Sequence, residues 1–130
     1  MKLLRDTQAL LWWLADSAQL SEPARSAIGD GNNTVVVSAA SAWEMEIKRA
    51  LGKLRTPENL QETLTQERFV ELPVRFAHTA ALRALPGLHR DPFDRMLIAQ
   101  ATVEGLTPML PTLGATVSGL PLISTAVRGS

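Results

Sequence analysis

Four consecutive residues, Thr34-Val35-Val36-Val37, limit the fold more than any others in the chain. A nearly continuous β-branched run suits a strand covered on both faces, the usual state of a parallel strand between layers of helix. A helix is expected directly after it, capped by Ser38 or Ser41 and running from Ala42 through Leu51 to Gly52. The same alternation recurs along the chain. Lys2 to Arg5 reads as a short strand ahead of an apolar helix over 9–14, and Ser21-Glu22-Pro23 opens a short helix that Gly29 ends. Pro57-Glu58 starts a helix to about Gln66, and Phe69 to Leu72 reads as a strand. Val74 to Leu85 reads as a helix with Phe76, Ala77, Ala80, Ala81 and Leu85 at helical spacing. Leu106 to Leu110 is a strand compromised by Pro108, expected to be short or near an edge. Leu120 to Ile123 is a last short strand. The pattern predicts an α/β fold, a small and mostly parallel sheet with helices on both faces.

At 130 residues the chain is sized for one domain, expected over 1–123 with a frayed tail over 124–130. It has no cysteine, which excludes disulfides, thiolate zinc sites and cysteine nucleophiles. Only His78 and His89 could supply imidazole, and His78 is expected on the polar side of its helix. A metal would therefore be held by oxygen, which favours magnesium or manganese. Thirteen basic and thirteen acidic residues cancel, so any attraction to a phosphate backbone must be local. Charge at Lys2, Arg5 and Asp6 comes too early for a signal peptide, and the apolar run over 9–14 is too short to span a bilayer. The expectation is a soluble cytoplasmic protein with no membrane association.

Chemistry-bearing residues gather at the junctions of this pattern. Asp6 ends the first strand, at the edge where open α/β sheets bind ligands. Glu44 borders the apolar stripe of its helix, made by Trp43, Ile47, Ala50 and Leu51, while Glu46 lies opposite in solvent. A plain role for Glu44 is an ion pair with Lys48 one turn on, worth a few tenths of a kcal/mol. In the stretch His89-Arg90-Asp91-Pro92-Phe93-Asp94-Arg95, Asp91 stands at an N-cap, Pro92 at the first helical position and Asp94 at the third. Four acids brought together this way disfavour one another's ionisation, a cost that a cation would relieve. Lys48, Arg49, Lys53 and Arg55 form the densest basic cluster, either a solvated helix end or a rim for phosphate. Arg5 beside Asp6 would have to snorkel or pair with a carboxylate.

Three segments together resemble the PIN-domain proteins, and more narrowly the VapC toxins of bacterial type II toxin–antitoxin systems. They are Leu4 to Leu14, Ser38 to Lys48 with its Trp43-Glu44-Met45-Glu46-Ile47, and His89 to Ala101. The resemblance implies a three-layer α/β/α sandwich and a Mg2+- or Mn2+-dependent endoribonuclease. It implies that Asp6, Glu44 and Asp94 are metal-binding catalytic acids, with Asp91 a further acid that caps its helix as well. The family's usual fourth acid falls at Thr112, which can orient a water but adds no charge. Gln8 stands where a histidine is usual, and Arg5 where an aliphatic is usual. Lys48, Arg49, Arg90 and Arg95 are the candidates for holding RNA. The implied partners are a VapB-like antitoxin and a second copy of the chain, for which Trp12 and Trp13 would serve either as interface or as core. Two rivals are a degenerate, antitoxin-binding relative with weak or no cleavage and a phosphoryl-transfer enzyme using Asp6 as nucleophile. The second lacks the acid such an enzyme places two residues on.

Overall fold

In the computed structural model, which describes residues 1–52, 59–85, 91–110, 116–117, 120–121 and 123–124, β1 (Lys2–Arg5) lies at the centre of a sheet. On one side come β2 (Thr34–Ser38) and then β3 (Val70–Leu72), and on the other β4 (Thr107–Leu110) and then β7 (Ile123–Ser124). Every pairing in that sheet is parallel. A separate antiparallel pair joins β5 (Thr116–Val117) to β6 (Leu120–Pro121). The helices are α1 (Thr7–Leu14), α2 (Glu22–Gly29), α3 (Ala39–Ala50), α4 (Leu60–Gln66), α5 (Phe76–Ala81) with a 3-10 turn over Leu82–Ala84, and α6 (Pro92–Glu104).

Strand alternation sorts the core into two layers. Leu4 and Val36, paired in register, point with Leu72 toward Leu97, Ile98 and Ala101 of α6. Leu3 and Val35 point the other way with Met109, against Ala9 of α1 and Ala24 and Ile28 of α2. Val37 continues that second face, meeting Leu10, Met45 of α3 and Leu60 of α4. Helices on both sides of a parallel sheet make the expected three-layer α/β/α sandwich.

The caps also follow the sequence. Ser38, rather than Ser41, caps α3 by accepting from the Ala40 N–H. Ser21 caps α2 one residue earlier than its proline would require. Asp91 caps α6 with Pro92 in the first turn, and Gly105 closes it at φ +67°, a left-handed conformation that costs glycine least.

Several expectations change. The strand with Pro108 is short, at four residues, but it lies in the interior of the sheet, between β1 and β7, not at an edge. Among the described residues β7 pairs with β4 from Met109 onward, so no ladder bond described there calls on the N–H that Pro108 lacks. The stripe of α3 faces outward: Trp43 and Leu51 are each 63% exposed and Ile47 37%. Phe76, the largest of the apolar residues read at helical spacing in its segment, is 93% exposed. His78, expected on a polar face, is fully buried. Its Nδ1 accepts from the Arg75 N–H at 3.0 Å, which leaves Nε2 to donate to Glu104 Oε1 at 3.0 Å. His78 thereby ties α5 to the end of α6. Trp12 and Trp13 are half-buried and pack on the α1–α2 side of the core.

Arg5 neither snorkels nor pairs directly with an acid. It is fully buried on the α1 side, 4.6 Å over the Phe69 ring and 5.8 Å from that of Trp13, and its Nη2 donates to Ala9 O at 3.0 Å. Among the described residues its Nε and Nη1 have no hydrogen-bond partner. Burial lowers its pKa to about 9, against the opposing pull of Asp6 and Glu67, so it remains charged at neutral pH.

Candidate active site

In parallel α/β units the helices run back against the strands, so strand ends and helix starts meet at one edge. Here that edge carries the end of β1, the first half of α3 and the start of α6. A cavity of about 380 Å3 opens there, lined by Asp6, Glu44, Asp91 and Asp94 together with Lys48, Thr7, Gln8, Trp12 and Gln19. Arg5 points away from it, so the space between the acids is not filled by that guanidinium.

Three of the acids are held by described groups whose bonds define them. Asp6 caps α1, its Oδ1 accepting from the Ala9 N–H at 2.8 Å. Because Arg5 holds the Ala9 carbonyl, consecutive residues grip both ends of that one amino acid. Asp91 caps α6 through Oδ1, which accepts from the N–H groups of Phe93 and Asp94 at 2.8 and 3.3 Å. Glu44 is buried on the inner face of α3, beside Met45. Its Oε1 accepts from the Thr7 hydroxyl at 2.6 Å, and its Oε2 lies 2.8 Å from Lys48 Nζ. The plain i,i+4 ion pair read from the sequence is therefore present, and it faces the cavity.

Electrostatics at Asp6 reflect this crowding. Burial pushes its pKa up to about 7, opposed by the Ala9 N–H bond. Asp94 and Glu44 push it further up, while Arg5 favours the charged form. A buried acid beside other acids is a group that a dication would stabilise.

The donor chemistry fits a hard cation, since four carboxylates line one cavity. The resting arrangement is not a finished ligand set: among the described residues no three His, Cys, Asp or Glu side chains are already grouped to hold a metal. Glu44 would have to exchange Lys48 for the ion.

Of the basic candidates, Lys48 lines the cavity. Arg49 and Arg95 are half-buried and do not line it; Arg95 donates to Leu82 O at 3.4 Å. Arg90 and Thr112 lie outside the described residues, as do Lys53, Arg55 and His89. Thr7 was not singled out from the sequence, although a hydroxyl directly after a cavity-edge acid is a readable cue. Gln8, Trp12 and Gln19 were also missed as cavity-lining residues.

The sequence matches the profile of the PIN domain over residues 3–114. The chain belongs to the PIN domain family. No curated protein matches the sequence closely enough to add to this. Among solved structures, the PIN domain described here is similar to a chain of VapBC2 from Rickettsia felis bound to a promoter DNA fragment. That match has 18% identity and a TM-score of 0.65, covering 95% of this chain and 97% of the other. It is similar to a chain of FitAcB from Neisseria gonorrhoeae at 17% identity and TM-score 0.61, covering 94% and 96%. A toxin–antitoxin complex from Klebsiella pneumoniae matches at 16% identity and TM-score 0.55, covering 90% of each chain. At these identities the likeness is one of fold. No helix among the described residues is long and apolar enough to cross a membrane.

Proposed function

We propose that this PIN domain is a VapC-like toxin, a Mg2+- or Mn2+-dependent endoribonuclease of the cytoplasm that a VapB-like antitoxin holds in check. The observation that carries the reading is the convergence of Asp6, Glu44, Asp91 and Asp94 from three separate segments on one cavity. A bound Mg2+ or Mn2+ would supply an acidified water and offset charge on the phosphodiester under attack. The chain does the positioning. Thr7 fixes one oxygen of Glu44, and the first turn of α1 fixes one oxygen of Asp6. Lys48, once released from Glu44, is placed to meet a phosphate, and Arg49, Arg90 and Arg95 are the further candidates for RNA contact. The test is cleavage of a defined RNA pool with Mg2+, Mn2+ or chelator by wild type and Asp94→Asn. Cleavage that survives chelator or the substitution rules the reading out.

Two surfaces support partners. A second cavity of about 450 Å3 between α3, α4 and β3 is lined by Leu60, Leu64, Phe69 and Val70 and rimmed by Glu46 and Glu71. It suits an antitoxin segment with apolar and basic side chains, and the similar structures come from toxin–antitoxin assemblies. On the outer face of α3, Trp43 meets Phe93 edge-on at 5.4 Å, with Ile47 and Leu51 exposed nearby in sequence. That apolar surface supports a homodimer.

The alternative is a PIN domain that binds its antitoxin-like partner and cleaves poorly or not at all. The Lys48–Glu44 ion pair favours it, because a side chain already occupies part of the acid site. Metal titration separates the two readings: binding that Asp6→Asn abolishes, with cleavage lost alongside it, supports the enzyme.

A further inference from the structure

Part of the cavity lining contributes no charge. Gln8 and Trp12 stand one turn apart on α1, and Gln19 reaches the same space from the segment between α1 and α2. Trp12 is half-buried, its ring anchored on the cluster that contains Leu3, Ala24 and Met109. Gln8 and Gln19 are exposed. Among the described residues, none of these three side chains is spent on a hydrogen bond or ion pair, unlike Thr7, Glu44 and Lys48 in the same lining.

An indole and two neutral amides add little to holding a hard cation. They are what a nucleobase needs. A flat aromatic surface stabilises a stacked base by about 1–3 kcal/mol. A glutamine amide carries a donor and an acceptor in one plane and can engage adenine through two hydrogen bonds. Proteins that read RNA sequence mostly do so on splayed, unpaired bases. With a phosphodiester at the acids, the adjoining nucleoside is directed toward α1.

We propose that Trp12, Gln8 and Gln19 form a subsite for one unpaired nucleobase flanking the cleaved phosphodiester, with adenine preferred. This rests on the endoribonuclease reading and adds to it the residues that choose the base. Two measurements test it. The first maps cleavage sites in a defined RNA pool for wild type, Asp94→Asn and the double variant Gln8→Ala/Gln19→Ala. The second measures binding of single-stranded A, C and U hexanucleotides to Asp94→Asn, with and without the same double change.

Adenine should be enriched at one position beside the wild-type cut, and the A hexamer should bind at least about 5-fold tighter than the others. The double variant should erase both ratios, whatever the total rate. Trp12→Phe should keep hexamer binding and Trp12→Leu should weaken it for every base. If Trp12→Leu does not fold, the two exposed glutamines still decide the matter. A double variant with wild-type base ratios in both measurements overturns the subsite and leaves the nuclease standing. Asp94→Asn cutting as well as wild type overturns the nuclease reading instead, and the subsite with it.

Discussion

Lys48 Nζ lies 2.8 Å from Glu44 Oε2, inside the cavity that the acids line. An ammonium so placed competes with any incoming cation for the same oxygen. A part-exposed ion pair is worth up to ~1 kcal/mol, so Lys48→Met should tighten Mn2+ binding by about 2- to 5-fold. Isothermal titration calorimetry on the RNA-free protein reads this directly. Unchanged or weaker affinity would show that Lys48 does not compete.

The raised pKa of Asp6 sets a pH dependence with a definite sign. Its folded value, about 7, exceeds its ordinary 3.8, so between those values the folded chain holds a proton that the unfolded chain has released. Stability from this group is therefore greatest at low pH and falls as pH rises from about 4 toward 7. Metal binding needs the charged form, so Mn2+ affinity should climb up to tenfold per unit below about pH 7 and level off above it. A pH series of calorimetric titrations checks the profile, and a flat curve between pH 5.5 and 8 would contradict it.

Asp6→Asn separates stability from function. Asparagine keeps an oxygen for the Ala9 N–H bond but removes the buried charge. At pH 8 the variant should be more stable than wild type, on the order of a few kcal/mol, while losing Mn2+ binding. Urea unfolding at pH 8 and at pH 4 measures it, and the gain should shrink at the lower pH.

His78→Ala should destabilise the fold by about 2–4 kcal/mol, because it empties a buried site and leaves the Arg75 N–H and Glu104 without their ring partners. Acid-cavity properties should persist in whatever fraction stays folded. A urea midpoint within error of wild type would show that the α5–α6 tie contributes little.

Charging the outer face of α3 tests the dimer. Trp43→Glu should shift the protein to monomer in sedimentation experiments while leaving its melting temperature nearly unchanged, since that side chain is 63% exposed. A wild-type protein already monomeric at the same concentrations would remove the homodimer proposal.

Much of the fold could be read because local and long-range signals agree. Thr34 to Val37 has one plausible environment, and Asp91-Pro92 one plausible place on a helix. Topology alone brings Asp6, Asp91 and Asp94 to one edge, since each stands at a strand end or a helix start, whereas Glu44 lies mid-helix and was marked by the family resemblance. What failed was the choice between two sides of an element. Periodicity shows that α3 has an apolar stripe but not that Trp43, Ile47 and Leu51 face outward while Glu44 and Met45 face in. The same ambiguity misplaced His78, because burying an imidazole depends on partners 3 and 26 residues away. Arg5 was legible as an anomaly, but its resting place against aromatic rings depends on Phe69, far along the sequence.

The two capping acids have an implication for descent. Asp6 and Asp91 each start a helix, so a lineage that stopped cutting RNA would still be selected to keep a capping side chain at both, with asparagine serving at position 6 as well as aspartate. Glu44 caps nothing: it sits mid-helix, and among the described residues its carboxylate bonds only sideways, to Thr7 and Lys48. Its exchange for a neutral residue is the change by which a silenced descendant of this chain would betray itself.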